Sequence, residues 1–145
     1  MIKLEDINYQ NVEESFGMGG PLMGDVYLQE NKLKGRFLVD NDKYSDDKQY
    51  LLLSRWRGEI EIHTKILGFI PMVRLGKDFR IVIIERATNK IYQSQTIESA
   101  LYIVNMLNGL ITYYQAFHDG IKKFERSMNF SEETFKEITD NEIYE

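Results

Sequence analysis

The sequence predicts an α+β domain: an antiparallel β-meander of about six or seven strands over residues 24–93, packed against a long C-terminal helix at about 97–127, with a short terminal helix after it. Three observations predict it. Apolar residues alternate with period two between Gly24 and Gln93. The connections between those runs are too short for parallel crossovers. From Ala100 onward, apolar residues recur in steps of three and four, through Ile103, Leu107, Leu110, Tyr114, Phe117, Ile121 and Phe124 to Met128, which is a helix stripe. A sheet with one apolar face and a helix with a matching one make a two-layer domain.

The totals bound this picture. A chain of 145 residues with 43% hydrophobic and 12% aromatic residues is one domain, able to bury a core without metal or disulfide. With no cysteine, disulfide frameworks, thiol nucleophiles and thiolate zinc sites are excluded, and with two histidines, His63 and His118, so is a histidine-rich zinc site. The first residues, Met1-Ile-Lys-Leu-Glu-Asp, lack the basic and apolar regions of a secretory signal, and no run of about 18 apolar residues offers a membrane span. A cytoplasmic location is the expectation.

Taken in order, residues 1–23 have apolar positions compatible with either period, and their structure is left open. Phe16 to Gly24 holds four glycines and reads as an irregular connection; it lacks the flanking elements and the Lys-Ser or Lys-Thr pair of a phosphate loop. Val26 and Leu28, then Leu33 to Val39, make a hairpin about Glu30-Asn-Lys32. Asp40 to Lys48 is a polar connection whose four aspartates lack the EF-hand spacing, so turn chemistry is expected there. Tyr50–Trp56 and Phe79–Glu85 are apolar on both faces and read as central strands. Glu59 to Ile66 alternates with one side in water, and Pro71 confines the next strand to an edge or a bulge. Ala87 to Lys90 closes a hairpin onto Ile91-Tyr-Gln93.

Thr96 is placed to cap the long helix at 96–128. A helix of that length, about 45 Å, outruns a domain of this size and is expected to bend or break at Gly109 or Gly120. Asn108-Gly109 is also a favoured hairpin turn, so Leu101–Phe117 has a second reading as two strands. Ser131 is placed to cap a short helix through about Thr139, with Phe130 and Phe135 as a hydrophobic staple, inside an acidic terminal segment at 131–145.

That segment carries the charge. Glu132, Glu133, Glu137, Asp140, Glu142 and Glu145 against one Lys136 account for the whole net charge of -5, leaving residues 1–131 neutral. Such a segment repels nucleic acid and membrane phosphates and attracts a basic partner. The candidate partner-binding residues are Glu132, Glu133, Glu137 and Asp140, together with Glu59, Glu61 and His63, which share one face of a strand. Arg55-Trp56-Arg57 beside Arg74 and Arg80 is the basic-aromatic grouping, and packing of Trp56 into the sheet is its simpler reading. His118-Asp119 lacks a nucleophile elbow to complete a triad.

No residue set points to catalysis, and no cofactor or metal is implied. The expected function is a non-catalytic protein-binding or inhibitory module with a protein partner, of the kind exemplified by the toxin-neutralising immunity proteins of bacteria. Two alternatives are a small-ligand or catalytic domain with a cavity between sheet and helix, and a structural subunit forming a homodimer through the long helix.

Overall fold

The computed structural model describes residues 1–15, 19–57, 60–64, 71–75 and 78–145, the stretches 60–64 and 71–75 by their backbone alone. Its strands are β1 (Ile7–Glu14), β2 (Leu22–Leu28), β3 (Asn31–Lys32), β4 (Arg36–Leu38), β5 (Lys43–Tyr44), β6 (Tyr50–Trp56), β7 (Ile60–Thr64) and β8 (Pro71–Leu75). They continue with β9 (Phe79–Glu85), β10 (Ile91–Ser94), β11 (Tyr102–Leu107), β12 (Leu110–Tyr114), β13 (Glu125–Asn129) and β14 (Phe135–Ile138). Among the described residues, helix is confined to single 3₁₀ turns at Leu4–Asp6 and Lys122–Phe124 and to the one-turn α1 (Asp140–Ile143). The main antiparallel sheet runs β1-β2-β4-β6-β9-β10-β14, with β3 on β2 and β5 on β6; β11-β12-β13 form a second sheet and β7-β8 a third.

The fold is therefore antiparallel β, and the α+β expectation is overturned where it placed the long helix. Residues 101–114 form a hairpin instead, Leu107 opposite Leu110 and Met106 opposite Ile111, turning on Asn108 and Gly109, both at positive φ. Two irregularities disguise it. A bulge between Ile103 and Asn105 inserts one residue, so the buried positions run Leu101, Ile103, Met106 rather than in strict twos. The two-residue turn then adds a further odd step before Ile111 and Tyr113. The sum imitates a three-four rhythm. Its supposed stripe is not one face, because Ile103 is buried while Leu107 and Leu110 lie at the exposed tip. Without the helix, the cavity expected beneath it and the dimer seam expected along it have no element to form them.

The short helix expected from Ser131 to Thr139 is corrected as well. Ser131–Thr134 is a turn, closed by the Phe135 N–H donating to the Ser131 carbonyl, and the chain then enters the sheet as β14. Phe135 and Ile138 are three apart because an edge strand sends one apolar side chain to each face. The acidic segment is thus built into the fold. Beyond α1, Glu145 N–H donates to the Lys32 carbonyl and Lys34 N–H to that of Ile143.

Both faces of the main sheet are covered. On one, Val26, Leu28, Phe37, Leu51, Leu53, Val82, Ile84, Ile91 and Ile138 pack with Ile2 from the N-terminal segment and Ile143 from α1. On the other, Met23, Leu38, Leu52, Phe79, Ile81, Ile83 and Phe135 meet Leu101, just before β11, and Ile103, Met106, Ile111 and Tyr113 of the second sheet. Side chains complete the free side of β11: Asn41, wholly buried, donates from Nδ2 to the Ile103 carbonyl (3.0 Å) and accepts the Ile103 N–H at Oδ1 (2.7 Å). Ser54 Oγ donates to the Leu101 carbonyl (2.8 Å).

β6 and β9 are central and pair along their whole length, as their two-faced apolar sequences require. Pro71 begins β8, in a two-stranded sheet where every strand is an edge. The segment left open, 1–23, supplies edge strand β1; of the glycine-rich stretch read as an irregular connection, Leu22 to Gly24 belong instead to β2, and Phe16 to Met18 lie outside the described residues.

Candidate functional site

β14 closes one edge of the main sheet. It pairs antiparallel with β10, Ser94 opposite Phe135, Gln93 opposite Lys136, Tyr92 opposite Glu137 and Ile91 opposite Ile138. The Gln95 N–H donates to the Thr134 carbonyl (2.9 Å). Antiparallel alternation then directs the backbone groups of Lys136 and Ile138 at β10, and those of Phe135 and Glu137 outward. Phe135 N–H is taken by its own turn, so the Glu137 N–H and C=O and the Phe135 C=O face away from the sheet.

Phe135 and Glu137 share the face that carries Tyr92. Phe130, at the end of β13, stands edge-on to three rings, each 5.2 Å away: Tyr50, Tyr92 and Phe135. These contacts fix the rings as a wall. Beside the wall is a cavity of about 380 Å³ lined by Tyr92, Phe130, Ser131, Glu132, Phe135 and Glu137. Burial first, then the carboxylates of Glu85 and Glu137, push the Tyr92 hydroxyl pKa up. Among the described residues, no ion pair neutralises Glu85, Glu132 or Glu137.

Glu137 also lines a second cavity, of about 530 Å³, with Thr88, Asn89, Lys90, Ile91, Ile138, Thr139 and Asp140. Three acidic residues singled out from sequence, Glu132, Glu137 and Asp140, therefore lie along one sheet edge. Glu133 is exposed in the turn next to them, its carbonyl accepting from Gln95 Nε2. The other three are not joined to this edge by strand pairing: Glu61 and His63 alternate along β7 opposite Arg74 and Met72 in a separate sheet, and Glu59 lies outside the described residues.

The opposite face of β14 has different chemistry. Arg80, Gln93, Gln95, Lys136, Ile138 and Glu142 surround a cavity of about 300 Å³. Beneath them Arg55, 1% exposed, is engaged by the fold itself: Nε donates to the Lys34 carbonyl, one terminal nitrogen to Gln93 Oε1 and the other to the Glu142 carbonyl. Burial lowers its pKa to about 10, with Arg57 and Arg80 adding to the shift. Arg55 thus holds α1 to the sheet, and Gly35 is what admits it there: a Cβ on Gly35, at φ +92°, would meet the Trp56 carbonyl at 2.8 Å. Trp56 stacks on Phe79 at 6.5 Å. Of the basic-aromatic grouping, Arg55 is interior, Trp56 and Arg80 are half-buried and Arg57 is exposed; the Arg74 side chain lies outside the described residues.

No protein-family model, curated protein or solved structure matches this chain.

The remaining candidates have structural partners. Asp42 accepts from the Tyr9 hydroxyl, Asp46 from the Asn108 N–H, and Asp47 from Ser45 Oγ and the Gln49 N–H. Among the described residues, no three histidine, aspartate or glutamate side chains are grouped to hold a metal ion. His118 and Asp119 are exposed in the loop between β12 and β13, not on a helix. No helix among the described residues is long and apolar enough to cross a membrane.

Sequence reasoning missed Tyr92, Phe130 and Phe135 as members of the site. Phe130 and Phe135, flanking a pair of glutamates, were the visible part of the signal; their convergence with Tyr92 needs the β10-β14 register.

Proposed function

We propose that the chain is a non-catalytic protein-binding module that occupies a basic segment of a partner protein at the β14 edge, as an inhibitory protein of the immunity type would. One observation carries this reading: among the described residues, carboxylates without a cationic partner border a cavity walled by aromatic rings, beside a sheet edge on which no further described strand pairs. A cation is stabilised there twice, by the carboxylates and by ring faces. Both faces of the main sheet are packed by side chains, and the cavities lie at its edge, which favours surface recognition over an enclosed small-molecule site.

The test is a charge reversal, E132K/E133K/E137K, at three exposed positions. The partner is isolated from native extract on the wild-type chain, purified, and its Kd measured for both proteins. The reading expects affinity to fall at least about tenfold, about 1.4 kcal/mol, and to weaken with salt. Equal affinity for a reversal variant of unchanged circular dichroism rejects it.

A further inference from the structure

The β14 edge offers more than charge, and its geometry sets a register. The Glu137 N–H and C=O point outward as a matched donor and acceptor, with the Phe135 C=O beside them. These are the groups that an added antiparallel strand takes up. In antiparallel pairing, directly opposed residues project to the same face of the sheet. A residue opposite Glu137 therefore sends its side chain to the face of Tyr92, Phe130, Phe135 and Glu132, where the 380 Å³ cavity lies. Residues on either side of it project to the other face, toward Ile138 and toward Lys136 and Arg80.

We propose that the partner contributes an extended segment that adds antiparallel to β14, with a lysine or arginine opposite Glu137 whose cation fills the cavity between the aromatic wall and the carboxylates of Glu132 and Glu137. The residue before it is apolar, against Ile138, and the residue after it is acidic or polar, against Lys136 and Arg80. The charge alternation follows from the strand period: one face of β14 is acidic and aromatic, the other basic and polar. This inference rests on the reading of the chain as a protein-binding module and specifies how the edge is used.

The probe is the blocked hexapeptide Ac-Thr-Val-Arg-Glu-Val-Thr-NH2, titrated into the full chain and followed through backbone amide NMR signals. Saturable binding is expected with a Kd of about 1 mM, with the largest shifts at Lys136, Glu137 and Ile138 and slower exchange of the Glu137 amide. Replacing arginine by neutral citrulline weakens binding about tenfold. Methylating the arginine backbone nitrogen abolishes binding, because that N–H donates to the Glu137 carbonyl. Methylating the next backbone nitrogen, which points away from β14, leaves it unchanged. Equal binding of the arginine and citrulline peptides overturns the proposal. So does indifference to the first methylation, or no binding at about 10 mM. Should the peptide fail while the charge-reversal variant loses its partner, strand addition is wrong and the module reading stands. Should charge reversal leave partner affinity intact, the reading beneath both is wrong.

Discussion

Replacing Gly109 with alanine separates the observed hairpin from the helix that the residue spacing suggests, because the two structures predict opposite signs. In the hairpin, Gly109 has φ +81° and follows Asn108 at φ +48°, the signature of a tight two-residue turn. An L side chain in that left-handed region costs about 1–2 kcal/mol. No heavy atom lies within 4 Å of the added Cβ, so the cost is backbone strain without a clash, and the Phe130 N–H keeps its bond to the Gly109 carbonyl. The stiffer unfolded chain offsets about 0.4–1 kcal/mol. The net expectation is destabilisation by about 0.5–1 kcal/mol. In a helix interior, the same change would stabilise by about 1 kcal/mol. Urea denaturation at constant temperature reads the difference: with a slope of about 2 kcal/mol/M, the midpoint falls by roughly 0.3–0.5 M. A midpoint that rises refutes the hairpin argument.

Other consequences follow from the buried polar groups. Asn41→Ala removes both bonds to the Ile103 backbone and leaves a buried N–H and C=O unpaired, so stability falls by about 2–4 kcal/mol and the urea midpoint by about 1–2 M; a loss under about 0.5 kcal/mol contradicts the account. Tyr9, bonded to Asp42, and Tyr113, bonded to Glu98, have pKa values raised by burial first and by the neighbouring carboxylate next. A raised folded-state pKa means that the folded protein holds these protons more tightly, so their contribution is complete below the unfolded tyrosine value of about 10 and is lost as pH rises above it. Urea midpoints measured from about pH 8 to pH 11 are expected to decline, and to decline less steeply in Y9F/Y113F; identical slopes in the two proteins contradict the assignment.

The parts of the fold that were legible are those where burial is simple. Tyr50–Trp56 and Phe79–Glu85 are surrounded on both faces, so their composition alone marks them as central strands. The β11-β12 hairpin was legible in its Asn108-Gly109 turn as the second reading of Leu101–Phe117, but the helix outranked it because the bulge at Ile103–Asn105 and that turn each shift the phase of the pattern, and two such shifts mimic helical spacing. β1 was hidden because an edge strand needs few apolar residues, and Ile7 and Tyr9 are only half-buried. β14 was hidden because its two buried residues serve opposite faces. At the site, Glu132, Glu137 and Asp140 were legible as a run of charge. The aromatic wall was not, since Tyr92 and Phe130 meet only through strand register, and register depends on distant parts of the chain.

Amide hydrogen exchange along β14 tests the central claim most directly, namely that this acidic segment is a sheet edge whose outer backbone face is open. Lys136 and Ile138, whose N–H groups point at β10, are expected to exchange slowly, and Glu137 between them to exchange at least about tenfold faster in the free protein. Uniformly rapid exchange at all three would mean that the segment is no strand of the sheet, and uniform protection would mean that its outer edge is already covered.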